Sequence, residues 1–189
     1  TNPTLILPDG SLVPNETVSE DDEGGAEGVG PIQTAVNEAA PGDTILVEAG
    51  NYDEDVLVGK ANLNIVMADD VVLDGGFAVK SGGSGLSVTG GTIANGMGSA
   101  PIAGSQGIGV YLQSGADVDV DGVTFQGNGS GVRGILGETS QSSEITVENS
   151  TFDGWTTGVF LNPDNSLDVT GSIFRNNGSG IGTDGPSTL

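Results

Sequence analysis

Neither His nor Cys occurs in this sequence, and only Lys60, Lys80, Arg133 and Arg175 are basic. No disulfide framework exists, and whatever chemistry the chain does falls to carboxylates, a few cations and a few rings. Asp117, Asp119 and Asp121 alternate with Val118 and Val120. On an extended strand alternate residues share a face, so the three carboxylates project from one side. Glu144 and Glu148 flank a similar apolar stretch. Such a face suits Ca2+, which takes oxygen ligands in number; the competing reading is a solvated surface neutralised by diffuse cations. The ordered spacing of a dedicated calcium loop is absent. Glycoside hydrolysis needs two positioned carboxylates, and no compact motif singles out a pair.

Tyr111, Arg133 and Phe160 each follow a Gly-Val pair. With those Val residues turned inward, the next side chains stack outward, and a cation between two rings permits cation–π contact. Exposed rings on a rigid face could bind a glycan or a partner protein. The alternative is that loops fold over the rings and make a minor core. Asn15, Asn128, Asn149 and Asn177 each open an Asn-X-Ser/Thr triplet and are glycosylation candidates in an exported chain. Asn128 and Asn177 also suit turns between strands.

Charge narrows the setting. Twenty-six acidic residues against four basic ones give a formal −22. A folded domain this acidic repels itself at low salt; at about 1 M salt the Debye length falls to roughly 3 Å and the repulsion is screened. Two readings compete: a halophile's protein, and a secreted protein that binds divalent cations. Nucleic acid is an unsuitable partner without a basic patch. No stretch reaches membrane-spanning length. Thr1 in place of Met suits a processed precursor, and a trimmed chain would look the same.

The elements that must position these residues divide the chain at 30/31. Residues 1–30 read as an N-terminal strand and an acidic linker. Thr4-Leu5-Ile6-Leu7 is a short apolar run closed by Pro8-Asp9-Gly10, Thr17-Val18 a brief strand, and Glu20–Gly25 a loop. A helix is predicted over 31–40: Pro31 suits its first turn, Ile32, Ala35, Val36 and Ala39 make one apolar face, and Pro41-Gly42 stops it. So short a helix must dock on something. From Asp43 onward short apolar strands follow, separated by Gly50, Gly59 and Gly75-Gly76.

Between 85 and 184 the sequence repeats. Leu86-Ser87-Val88, Val118-Asp119-Val120, Ile145-Thr146-Val147 and Leu167-Asp168-Val169 share one frame. Five residues after each closing Val stands Ile93, Phe125, Phe152 or Phe174. A Gly-Val or Gly-Ile pair follows, ending at Val110, Val132, Val159 and Ile181. The unit is 22 residues, with a ten-residue insertion near Ala94–Ala103 and a five-residue insertion near Leu136–Ser143. Units this small bury their apolar face only by stacking, at about 4.8 Å per rung. An antiparallel sandwich does not explain equivalent residues at fixed spacing. The expected fold is all-β, a parallel β-helix over 31–189 with rungs at 43–184. Its register sets Glu144 beside Asp117, Glu148 beside Asp121, and Gln126, Asp153 and Arg175 in one column. Asp153 and Arg175 then form a surface ion pair.

Pro31-Ile32-Gln33-Thr34-Ala35-Val36, Ala39-Ala40-Pro41-Gly42-Asp43-Thr44-Ile45-Leu46-Val47 and Gly50-Asn51-Tyr52 resemble the opening of pectin-lyase-like right-handed β-helix proteins. The repeats with Phe125, Asn128 and Gly131-Val132, and with Phe174, Asn177 and Gly180-Ile181, look like generic rungs of that superfamily; Trp155 departs from the pattern. The resemblance, over roughly 17–184, implies the right-handed solenoid and an N-terminal capping helix. It says little of function, since lyases, hydrolases, esterases, phage spikes and adhesins share the fold. Lyases of this kind use Ca2+ and a basic residue, for which only the four cations are available. The esterase subgroup's later signature segments are absent.

The expectation is a non-enzymatic structural protein of a halophile's cell surface or of a virion, extracellular, with Ca2+ as an optional ligand. The alternatives are a polysaccharide lyase or hydrolase, and a glycan-binding adhesin using Tyr111, Arg133 and Phe160. Self-association is expected through the solenoid ends, with Thr4, Leu5, Ile6 and Leu7 of one subunit meeting the rung of Phe174 and Ile181 in the next.

Overall fold

A computed structural model describes residues 30–113, 115–129, 132–138 and 142–189, and the backbone of 16–18. Thr4–Leu7 and Asn15 lie outside the described residues. The chain is a right-handed solenoid of about six turns behind one short helix.

The first turns contain β1 (Glu16–Val18), α1 (Pro31–Glu38), β2 (Thr44–Val47), β3 (Gly50–Val58), β4 (Asn64–Met67) and β5 (Val71–Val79). Each later rung has three strands: β6 (Leu86–Thr89), β7 (Thr92–Asn95) and β8 (Ile108–Leu112), then β9 (Val118–Asp121), β10 (Thr124–Gln126) and β11 (Arg133–Gly137). Next come β12 (Glu144–Glu148), β13 (Thr151–Asp153) and β14 (Thr157–Leu161), and finally β15 (Ser166–Thr170), β16 (Ile173–Arg175) and β17 (Ser179–Thr183).

Two parallel sheets result. One is seven-stranded, in the order β1-β2-β4-β6-β9-β12-β15. The other has ten strands: β3 pairs along one edge of β5, and the opposite edge carries two columns, β7, β10, β13 and β16 on its first half and β8, β11, β14 and β17 on its second. Gly75-Gly76 therefore do not separate strands but run through the middle of β5. They are glycine because neighbours crowd them. A Cβ on Gly75 would lie 2.1 Å from the Glu54 carbonyl oxygen, and one on Gly76 would lie 2.3 Å from that of Gly109.

The repeat frame matches the observed register. Val88 pairs with Val120, Val120 with Val147 and Val147 with Val169. Ile93, Phe125, Phe152 and Phe174 form one column. Its rings stack at 4.4 and 4.8 Å between centroids, close to the spacing of the strands that carry them. Inward Val, Ile, Leu and Phe fill the space between the sheets, while Asp119 and Asp121 are exposed.

One column departs from expectation. The inward residue below Val159 and above Val110 is Ile135, not Val132; Val132 is 40% exposed. The chain holds two Gly-apolar pairs here, Gly131-Val132 and Gly134-Ile135. The second puts its glycine where no Cβ fits: one on Gly134 would meet the Gly158 carbonyl oxygen at 2.5 Å and the Phe152 ring at 2.7 Å. The five extra residues are accordingly divided, three before Ile135 and two between β11 and β12.

The helix ends at Glu38, two residues earlier than predicted, ahead of Ala40, whose neighbour Pro41 disfavours helical backbone. Ile32, Ala35 and Val36 are buried against the first rungs, so α1 closes the N-terminal end of the core.

Candidate functional site

The aromatic–cation stack is not an open face. Tyr111 aligns with Leu136 and Phe160, because the shift to Ile135 moves Arg133 opposite Ile108 and Thr157. Tyr111 is 2% exposed and packs with Ala78, Met97, Ile108 and Leu136 in a second apolar cluster. Ile102 and Phe160 lie against that cluster. The loop between β7 and β8, which contains the ten-residue insertion, thus folds over the rings and makes a minor core. Burial pushes the Tyr111 hydroxyl well above its ordinary pKa, with the Glu138 carboxylate beside it adding to the effect. Arg133 does reach Phe160, its guanidinium lying 4.3 Å from the ring centroid. Its buried Nε has no hydrogen-bond partner.

The acidic strand face is assembled as its alternation predicts. Glu148 pairs with Asp121, and the Glu144 N–H donates to Asp117 Oδ1 at 2.7 Å. Asp117 Oδ2 also accepts from the Ser84 hydroxyl at 2.8 Å, and Asp121 Oδ1 accepts from Asn149 Nδ2 at 2.9 Å. Asp119 is separated from Asp168 by Thr146. Among the described residues no three acidic side chains converge as metal ligands.

Of the glycosylation candidates, Asn149 sits at φ 49°. It occupies the corner that Gly90, Gly122 and Gly171 take in other rungs, also with positive φ. Asn177 accepts from the Trp155 N–H at 2.8 Å and donates to the Phe152 carbonyl at 3.0 Å, a rung-to-rung brace. Asn128 is exposed. Arg175 and Asp153 form the expected ion pair at 2.9 Å. Hydrogen bonds from Asn176 and then Arg175 hold the Asp153 carboxyl below its ordinary pKa.

A cleft lies elsewhere, where α1 begins. It has a volume of about 950 Å3 and is lined by Gln33, Asp53, Glu54, Asp55, Asp74, Asn95 and the near edge of the β7–β8 loop. Asp53 and Asp74 are register neighbours on β3 and β5, and Asn95 donates to Asp74 Oδ1 at 2.9 Å. Glu54 turns to the helix instead. Its two oxygens accept the N–H groups of Ile32 and Gln33, each at 2.9 Å, in place of a side-chain N-cap on the helix itself. Burial raises the Glu54 pKa despite those two bonds, which pull it down. Asp55 clasps the loop, accepting from Gly98 N–H, Ser99 N–H and the Ser99 hydroxyl at 3.2, 2.7 and 2.5 Å.

The description of a right handed beta helix region matches residues 61–188, more than half of the chain. The chain belongs to the right-handed β-helix family. Comparison with curated proteins and with solved structures gave no match.

In this β-helix protein the cleft presents two carboxylates, Asp53 and Asp74, and amides, to the solvent. Glu54 and Asp55 already bind backbone. The arrangement suits a cationic or hydroxyl-rich ligand more than an anionic one. Reading the sequence for spacing missed the cleft, although the run Asp53-Glu54-Asp55 carries its signal: three carboxylates in an otherwise apolar strand pattern.

Proposed function

We propose that this chain is a non-enzymatic structural module: a rigid β-solenoid of an extracellular appendage, on a cell or virion surface in a high-salt setting. The observation that carries the reading is where the carboxylates go. Asp43 accepts from the Ala40 N–H at 2.7 Å, Glu54 caps α1, and Asp55 clasps a loop. Asp74, Asp117, Asp121 and Asp153 brace neighbouring rungs. Charged acceptors make the stronger hydrogen bonds, so these corners are stiffened by the residues that also keep the molecule soluble in salt. Ca2+ enters this reading as a counter-ion of the Asp117–Asp121 face.

The test is incubation with pectate, alginate and related acidic glycans, with and without Ca2+, at low and high salt. No unsaturated or newly reducing products are expected. Products that vanish on Arg133→Ala, or on joint Asp53→Asn and Asp74→Asn replacement, would put a polysaccharide-active enzyme in its place.

A further inference from the structure

Charge is distributed unevenly around the solenoid. The column of β9, β12 and β15 carries Asp119, Asp121, Glu144, Glu148 and Asp168. The column of β8, β11, β14 and β17 carries no carboxylate at all. Neither does the whole stretch 75–116, which includes the β7–β8 loop packed over that column. Glu138, Asp164 and Asp184 stand only beyond the strand ends. In a chain of formal charge −22, this flank is the side that another acidic body approaches with least repulsion.

The cation of the flank is Arg133. It is half-buried, and its guanidinium lies over the Phe160 ring. A guanidinium has five N–H donors, and among the described residues none of these meets an acceptor or a carboxylate. Lys60 differs, since its ammonium donates to the carbonyls of Asn37 and Ala39, and so does Arg175, which pairs with Asp153. Stacking holds the Arg133 fork in place, so little freedom is lost when a carboxylate takes it bidentately.

Unspent carboxylates lie on the acidic column. Register sets Thr146 between Asp119 and Asp168, two carboxylates about 9.6 Å apart with a shorter side chain between them. Both are exposed, and neither side chain has a hydrogen bond or ion pair among the described residues. Asp117 and Asp121 are already committed to Ser84, Glu144 and Asn149. Both columns step one turn at a time along the same axis. Two copies lying side by side therefore present the same rung spacing to each other.

We propose that Arg133 of one copy enters the gap over Thr146 of a second copy, between that copy's Asp119 and Asp168, with the two solenoids side by side. The contact joins two different flanks, so it is heterologous, and each added copy offers both flanks again. The proposal rests on the structural-module reading and supplies its partner, a second copy of this chain.

The experiment is sedimentation velocity of the 189-residue chain over a wide concentration range in about 1 M KCl. The Debye length there is roughly 3 Å, which screens body from body and spares a contact hydrogen bond. The mass should rise with concentration. Arg133→Glu alone and Asp119→Lys with Asp168→Lys should each be monomeric, and an equimolar mixture should associate again, because the reversed charges meet. Recovery in the mixture also shows that both variants fold. Arg133→Gln, which keeps the stem over Phe160 and loses the charge, should weaken association at least about tenfold. Asp69→Lys with Asp70→Lys changes the net charge as much as the double reversal does and should associate no less than the intact chain. An intact chain that stays monomeric, undiminished association of either Arg133 variant, loss of association in the Asp69 and Asp70 variant, or a mixture that stays monomeric would overturn the proposal. Glycan cleavage is a separate result and bears on the module reading alone.

Discussion

At the scale of single residues, Glu54 does the most with the least sequence signal. Its carboxylate closes the N-terminus of α1 from another element, and a Cβ on Gly30 would lie 2.3 Å from Glu54 Oε2, so a side chain there would push the carboxylate aside. Removing the carboxylate leaves two N–H groups at a partly buried helix end without acceptors. Glu54→Ala is therefore expected to cost about 1–3 kcal/mol, read as a lower denaturation midpoint in molar KCl, with α1 amides exchanging faster. Residue types were legible in the sequence where periodicity is strict, as in the inward Val88, Val120, Val147 and Val169. They were not legible where two local choices look alike. Gly131-Val132 and Gly134-Ile135 read alike in sequence; what marks Gly134 is its neighbours, the Phe152 ring and the Gly158 carbonyl, neither of them adjacent in sequence. That three-residue ambiguity misplaced Arg133 in the Tyr111–Phe160 column.

Among elements, the phenylalanine column shows how the rungs hold one another. Phe125, Phe152 and Phe174 are stacked nearly flat, with interplanar angles of 4°. Phe152 is fully buried between two rings, whereas Phe174 is half-buried at the end. Phe152→Ala should cost about 3–5 kcal/mol and Phe174→Ala clearly less, a difference that equilibrium unfolding measures directly. If the two cost the same, cover by a ring on both sides adds nothing over cover on one. The strand count per rung and the capping helix were readable from spacing and from the Pro31–Gly42 frame. The continuity of β5 was not, because Gly75-Gly76 signal a break to any local rule and only the close approach of β3 and β8 explains them. The cleft beside α1 escaped for the same reason: it is made by α1, β3, β5, β7 and the β7–β8 loop, which only the winding of the chain brings together.

For the molecule as a whole, charge sets the working conditions. A formal −22 on 189 residues, with one ion pair among the described residues, leaves repulsion that only mobile ions relieve. The melting temperature is expected to rise between about 0.05 M and about 2 M KCl as the Debye length shrinks. Chloride is the fair anion, since sulfate strengthens burial by exclusion and would mimic screening. An unchanged melting temperature would remove the halophilic setting while leaving the fold untouched.

The ladders between rungs have a mechanical meaning. Their hydrogen bonds lie roughly along the solenoid axis, because neighbours in both sheets are successive turns. A tension applied between the two ends pulls on those bonds in line, and the side-to-side neighbours that would share the load in a sandwich are missing. Yielding would begin where stacking is thinnest, at Phe174, which among the described residues meets a ring on one side only; the turn from Val147 to Val169 would release 22 residues, and the turns before it 27 and 32, about 75–110 Å of slack each. Under load the protein would behave as a ratchet of unequal steps, stiff until one turn parts and stiff again until the next.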